Sequence, residues 1–290
     1  MRNLFLAAFL RRECFIMMRS LWTAASGMTA QQFFVDNISH NLSNVNTVGF
    51  KKGRVEFNSL LYQTMRRADW DPANMTGRPV SLQVGLGVRP VAVKTMFTQG
   101  NLQRTDNPQD FAIEGDAFFT IRRTEDPEEI FYTRDGAFIL SPVDDGLMLA
   151  TNLGYPVLDV DGEPIIFPDD VAWHNVTMDD AGNFWHVTPE GDVDDLGIQL
   201  QLVQFPNPQG LEAVGSNLWQ MTAASGEALV QGVDEIIRYS RVFQGVLEMS
   251  NVNVAEEMVD MIRAHRAYDL NARAITTSDE MLQTANGLKR

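Results

Sequence analysis

The chain has a single cysteine, Cys14, among 290 residues. That excludes an internal disulfide and a thiolate-held metal cluster. No apolar run approaches the roughly 20 residues needed to span a bilayer, so membrane insertion is not expected. Basic charge is also scarce: 38 Asp and Glu face 23 Lys and Arg, for a net charge of −15. A nucleic-acid binder needs a basic face against phosphates, so nucleic acid is not an expected partner. Catalytic signatures are missing too. There is no H-E-x-x-H, P-loop, G-x-S-x-G or G-x-G-x-x-G, and "GLGVRP" supplies only two glycines with no helix after it. His40, His174, His186 and His265 share no ligand spacing. "DVDGEP" at 159–164 begins like a calcium loop, but its glycine comes early and Pro164 breaks the frame. An Asp-Gly turn is the better reading. The acid pairs Asp144-Asp145, Asp169-Asp170 and Asp194-Asp195 lie among turn residues, where solvated charge is ordinary. Neither an enzyme activity nor a metal or cofactor is expected.

What is present is unevenly distributed. Residues 99–226 hold 23 acids against 4 bases, while the rest of the chain holds 15 against 19. A strongly acidic, solvated middle is therefore flanked by ends that do not repel one another. The opening "MRNLFLAAFLRRECFIMMRS" allows three readings: a weak secretion signal, an amphipathic lead-in, or residues upstream of the true start. Regular periodicity begins just after Met17 and Met18, so 1–16 are expected to be a non-native or disordered leader.

From Leu21 the apolar spacing is helical: Leu21, Ala24, Met28, Val35, Ile38, Leu42 and Val45. The stripe is narrow, suited to another helix rather than to a thick core. The helix of 17–48 should stop within 43–47, where Asn and Ser side chains compete for backbone groups and Gly49 turns the chain. Two extended arms then occupy 49–98, joined by a long polar loop at 63–83 that carries Arg66, Arg67, Trp70, Pro72, Met75 and Pro79. The acidic 99–226 reads as short strands between turns, with Asp135-Gly136 and Asp161-Gly162 as hairpin signals. A return segment, 227–252, leads to a second helix over 253–290. Its seam runs Val254, Met258, Met261, His265, Tyr268, Ala272, Ile275 and Leu282, with Asn253 as cap and Glu256 and Glu257 in the first turn. His265 is read there as a polar packing residue that fixes register. The fold class is therefore α+β: paired long N- and C-terminal helices, extended β arms, and a central β-rich domain.

Four stretches resemble the bacterial flagellar rod and hook family. "SLWTAASGMTAQQFFVDNISHNLSNVNTVGFKKGRVEF" is similar to its N-terminal signature, with Asn41, Leu42, Asn44, Asn46, Thr47, Gly49, Phe50 and Lys51 at the motif positions. "QGNLQRTDNPQDFAIEGDAFFTI" resembles the second block, with Ala117 where the family usually has a glycine, and "YTRDGAF" resembles the third. "LEMSNVNVAEEMVDMIRAHRAYDLNARAITTSDEML" is similar to the C-terminal helix. Within the family, "LLYQTMRR" and "LQVGLGVRPVAV" are closer to the distal rod branch than to hook or proximal rod. The resemblance implies a self-assembling structural subunit of the basal body, exported by the flagellar type III apparatus into the periplasm-spanning rod. It also implies contacts with copies of itself, proximal rod subunits, hook subunits or their adaptor, and the surrounding rings. On this reading the loop at 63–83 stiffens the rod. A hook or proximal rod subunit is the alternative within the family. A secreted glycan-binding or hydrolytic β protein is the alternative from another class.

Overall fold

The computed structural model describes residues 2–71, 76–78, 80–123, 129–143, 146–168, 173–188, 193–234 and 238–287, with side chains outside the description at 2–18, 69–71, 76–78 and 174. Contacts divide the chain into two compact units. The first comprises 1–42, 53–94 and 254–290; the second comprises 43–52 and 95–253. The class is α+β, with a helix near each end of the chain and many strands between.

In the first unit, helix α1 spans Arg2–Ser43. Its sequence has no proline and one glycine, and Leu, Ala, Met, Arg and Gln are favourable helix residues, so little opposes a long run. Residues 2–16, expected as a non-native or disordered leader, are helical backbone for the same reason. Six strands follow among the described residues: β1 (Gly53–Ser59), β2 (Tyr62–Arg66), β3 (Asp69–Asp71), β4 (Thr76–Arg78), β5 (Leu82–Gly85) and β6 (Val88–Thr95). They pair as β1 with β6, β2 with β5, and β3 with β4. The expected structureless loop at 63–83 is thus corrected: the two arms are the sides of one long hairpin whose ladders run outward from β1 and β6. Arg66 ends β2 and Arg67 follows it, both exposed; Trp70 belongs to the β3 backbone, its side chain outside the description, and Pro72, Met75 and Pro79 lie outside the described residues. Helix α1 is fastened along the ribbon by Arg19 Nη1 donating to Gln63 Oε1 at 2.7 Å and by Phe34 packed edge-on to Phe57 at 6.0 Å. The Val88 amide also donates to Ser26 Oγ at 3.4 Å.

Among its described residues the second unit holds sixteen strands: β7 (Leu102–Arg104), β8 (Phe111–Glu114), β9 (Phe118–Arg122), β10 (Ile130–Thr133), β11 (Phe138–Val143), β12 (Gly146–Thr151), β13 (Ile166–Phe167), β14 (Val176–Met178), β15 (Asn183–Val187), β16 (Val193–Gln199), β17 (Leu202–Gln204), β18 (Glu212–Gly215), β19 (Leu218–Gln220), β20 (Leu229–Val230), β21 (Arg241–Gln244) and β22 (Val246–Glu248). A six-stranded sheet runs β18-β19-β10-β9-β17-β20, accompanied by β11-β12-β13 and β14-β15-β16. Strand β9 sits near the middle of the large sheet and alternates its side chains between two cores. Phe119 and Ile121 join Phe111, Phe138, Leu149, Phe167 and Phe184 on one side; Phe118 joins Tyr132, Val203 and Phe205 on the other. Edge-to-face contacts at 5.2 Å for Phe119–Phe138 and Phe167–Phe184 add about 0.5–1.5 kcal/mol each beyond burial.

Two expectations about this unit change. Asp135-Gly136 is not a hairpin turn: β10 pairs with β9 and β19, whereas the following β11 pairs with β12. Here the Asp-Gly step carries the chain from one sheet to another, and Asp135 Oδ1 accepts the Ala137 amide at 3.0 Å. Asp161-Gly162 does form a turn, with the Gly162 amide bonded to the Asp159 carbonyl at 2.8 Å. The return segment 227–252 is part of the same unit, because β20, β21 and β22 complete ladders with β17, β8 and β7. Helix α2 then spans Val254–Gly287, with Glu256 and Glu257 in its first turn.

Candidate functional site

The segment after α1 is built from side chains that replace backbone partners. Within the first unit, Asn41 is 2% exposed, and its carboxamide behaves like a strand neighbour to Gly53. Its Oδ1 accepts the Gly53 amide at 3.0 Å and its Nδ2 donates to the Gly53 carbonyl at 2.9 Å. The same Nδ2 donates to Glu257 Oε2 at 3.2 Å. Within the second unit, Thr47 Oγ1 donates to Asn44 Oδ1 at 3.2 Å, while Asn46 is exposed. Gly49 takes φ +69°, and a Cβ there would stand 2.7 Å from the carbonyl carbon of Arg134 and the nitrogen of Asp135. Only glycine meets both demands. Its amide donates to the Glu248 carbonyl at 2.8 Å, and the Asn251 amide reaches the Phe50 carbonyl at 3.4 Å.

Two residues later the chain buries a charge. Lys51 Nζ donates to Glu248 Oε1 at 2.5 Å and to the Thr98 carbonyl at 2.9 Å. The same carboxylate oxygen accepts the Gly100 amide at 2.8 Å. Its other oxygen faces Arg134 Nη1 at 3.5 Å, and Arg134 Nη2 donates to the Gly115 carbonyl at 2.7 Å. The Arg134 guanidinium also lies 5.0 Å from the centre of the Phe118 ring. The side chains of Lys51, Glu248 and Arg134 are at most 1% exposed. Burial holds the Lys51 amine down at about 8, helped by repulsion from Arg134 and opposed by Glu248. Burial likewise lowers Arg134, opposed by Glu248 and Asp116. Two cations therefore share one carboxylate away from water, an arrangement that holds only with its hydrogen bonds in place.

Asn251 completes the joint in the same manner as Asn41. Its Oδ1 accepts the Lys52 amide at 2.8 Å, and its Nδ2 donates to the carbonyls of Met96 at 2.8 Å and Thr98 at 3.1 Å. Asn217 Nδ2 donates to the Val48 carbonyl at 2.9 Å. The motif residues thus act as cross-braces between stretches of backbone. Among the described residues no group of three metal-ligating side chains occurs, and no helix is long and apolar enough to cross a membrane.

The seam residues are placed less uniformly. Ile38 is fully buried, and Leu21, Met28, Val35, Leu42, Met261, Ile275 and Leu282 are half-buried, but Val254, Met258, His265 and Tyr268 are exposed. The buried positions of α2 are Glu257, Ala264 and Ser278. The stripe chosen by apolar size is corrected by about one position at Val254, Met258 and His265, because small and polar residues take the buried places there, while Met261, Ile275 and Leu282 stay half-buried. Glu248, Arg134, Asn251 and Glu257 were not foreseen as site residues. A lysine directly after a helix-stop motif was the available signal, since a buried lysine needs an acid partner.

Three stretches match family models. Residues 21–51 match the flagella basal body rod protein, 112–193 the flagellar hook protein FlgE/F/G D1 domain, and 244–288 the flagellar basal body rod FlgEFG protein C-terminal region. The flagellar basal-body rod protein FlgG of Borreliella burgdorferi is 47% identical over 276 residues, covering 94% of this chain and all of the relative. FlgG of Bacillus subtilis is 38% identical over 274 residues, with 94% and 100% covered. The chain belongs to the FlgG family of flagellar basal-body rod proteins. The flagellar hook-basal body complex protein FlhP of Bacillus subtilis is 32% identical over 279 residues. In this rod-family chain each matched stretch contributes one member of the buried cluster: Lys51 from the first, Arg134 from the second and Glu248 from the third.

Replacing Glu248 by Gln keeps the shape and removes the carboxylate that both buried cations share. Glu248→Gln should lower the stability of the soluble chain by about 3–5 kcal/mol in urea unfolding. Asp106→Asn, at an ion pair of exposed side chains, should cost under about 1 kcal/mol. Equal effects of the two changes would contradict the cluster's role.

Proposed function

We propose that the protein is a structural subunit of the flagellar basal body that polymerises as the distal rod and transmits motor torque to the hook. One observation carries this reading: large apolar side chains stand in water on both terminal helices. Leu270 is 66% exposed and Trp22 72%, and Met258, Val259, Ile262 and Met281 are exposed beside them on α2. A lone chain gains nothing from such surface, whereas copies packed together bury it. Antiparallel pairing of α1 and α2 belongs to the same reading. It is supported by Ser20 Oγ 3.2 Å from Ser278 Oγ, by Asn271 lying against Gly27, and by the Asn41 bond to Glu257. The hairpin supplies a second assembly surface through Leu61, Tyr62, Val80 and Leu82, all exposed. An arm that reaches a neighbouring copy adds contacts along the axis and resists the sliding that bending requires.

Family membership supports assembly with other rod and hook components. The finer partners of this reading are proximal rod subunits, hook subunits or their adaptor, the surrounding rings, and the type III export apparatus. The division of labour follows the sequence: 17–48 and 253–290 polymerise, 49–98 form the arm, and 99–252 form the acidic, solvated body.

Ile262→Asp places a charge on the outward face of α2, where the single chain loses little. Swimming and rods in electron micrographs of basal bodies should be lost, while the soluble chain keeps its circular dichroism spectrum. Native motility would contradict the assignment of that face. Deleting 67–79 should preserve polymerisation and yield curved, flexible rods; straight rods would reduce this segment to a spacer.

A further inference from the structure

Three contacts between described residues of α1 and α2 follow one spacing. Positions 20, 27 and 41 of α1 meet 278, 271 and 257 of α2, so steps of 7 and 14 along one helix are matched by steps of 7 and 14 along the other. This is the repeat of a coiled-coil seam. Its occupants are not those of an ordinary apolar seam. Ser278 donates its hydroxyl to the Ala274 carbonyl at 2.7 Å, so toward Ser20 it acts as the acceptor. A Cβ at Gly27 would stand 2.8 Å from Asn271 Nδ2, so the asparagine amide rests directly on the glycine backbone. Asn41 and Glu257 meet as a buried polar pair, 2% and 7% exposed. Met258, Val259, Ile262, Leu270 and Met281 of α2 are exposed, while Met261, Ile275 and Leu282 are half-buried; apolar side chains accept one another in any register, so these discriminate less sharply than the polar positions do.

Those observations raise a register problem with a chemical answer. In the observed register the spacing sets Phe34 opposite Ala264, which is 1% exposed. A slip of one heptad in one direction would set Glu257 opposite Phe34, and in the other direction would set Asn271 there. Either slip strands a polar group against a phenyl ring and breaks the three existing contacts, which is how a partner is rejected rather than merely preferred. We propose that Asn271 and Glu257, received by Gly27 and Asn41, are the positioning residues that select a single antiparallel register between the terminal helices. The inference rests on the helix pairing put forward above. It adds that polar complementarity, not apolar burial, specifies that pairing. The outward apolar faces are then held in one axial alignment for the neighbouring copies.

The test uses cysteine pairs in the full chain on a Cys14→Ser background, assembled in cells and read on non-reducing gels as a faster-migrating monomer. Gln31→Cys with Ala267→Cys reports the observed register. Gln31→Cys with Asp260→Cys or with Ala274→Cys reports the two one-heptad slips. With Asn271 and Glu257 intact, the in-register link should exceed either slipped link by about tenfold or more. With Asn271→Leu and Glu257→Leu added, a slipped link should rise to within about twofold of the in-register one. If the leucine pair does not fold, Asn271→Ala with Glu257→Ala gives the same comparison. Slipped links that stay absent in the variants would overturn the register role while leaving the helix pairing standing. Absence of every link, in every background, would remove the pairing itself.

Discussion

A carboxylate buried with two cations is the constraint around which the second unit is organised. Glu248 accepts from Lys51 and from the Gly100 amide, and it faces Arg134. Removing a charge from water is expensive, and only a full set of partners offsets it. Each partner in turn fixes a separate piece of chain. Lys51 sets the exit from the α1 motif, Gly100 and Thr98 the entry into the strands, and Arg134 with Gly115 the crossing between sheets. Gly49 is then required where the chain passes closest to Arg134. The asparagines at 41 and 251 extend the same device to neutral groups, each presenting both a donor and an acceptor to backbone groups.

Around that joint, the unit's two aromatic cores supply stability of the usual kind. The terminal helices are different. The buried positions of α2 are Glu257, Ala264 and Ser278, while Met258, Val259, Ile262, Leu270 and Met281 are exposed, as is Trp22 on α1. Such a chain is stable in its body and unfinished at its ends, which suits a subunit whose final burial is supplied by other copies. The acidic charge of 99–226 has a consistent place here, since it lies in the body rather than on the helices that must associate.

Much of this was legible in the residues, because helix ends and turns are local chemistry. Helix α1 stops at Ser43, at the edge of the Asn- and Ser-rich stretch, and α2 begins at Val254 with its acids in the first turn. Ribbon β2–β5 resembles a loop in sequence because every residue of β2 is exposed, so no alternation of buried and exposed residues marks it as a strand. Asp135-Gly136 carried a hairpin signal, but Gly136 is taken up in bonds with Phe111 and Phe138 that route the chain to another sheet. The seam of α2 was displaced toward Val254, Met258 and Tyr268 because periodicity is read from large apolar residues. A seam made of Glu257, Ala264 and Ser278 leaves almost no such trace. The pairing of Lys51 with Glu248 spans 197 residues, a separation at which no local pattern operates.

The buried cluster is most directly tested by a nitrogen-detected titration of the Lys51 amine in the soluble, folded chain. The account predicts a midpoint near 8, below the ordinary 10.5. Between those values the unfolded chain holds a proton that the folded chain has released. Stability relative to a Lys51→Met variant should therefore rise as pH increases through that window. A Lys51 amine that titrates at the ordinary value, with no pH-dependent difference from the variant, would contradict burial of the charge and with it the joint.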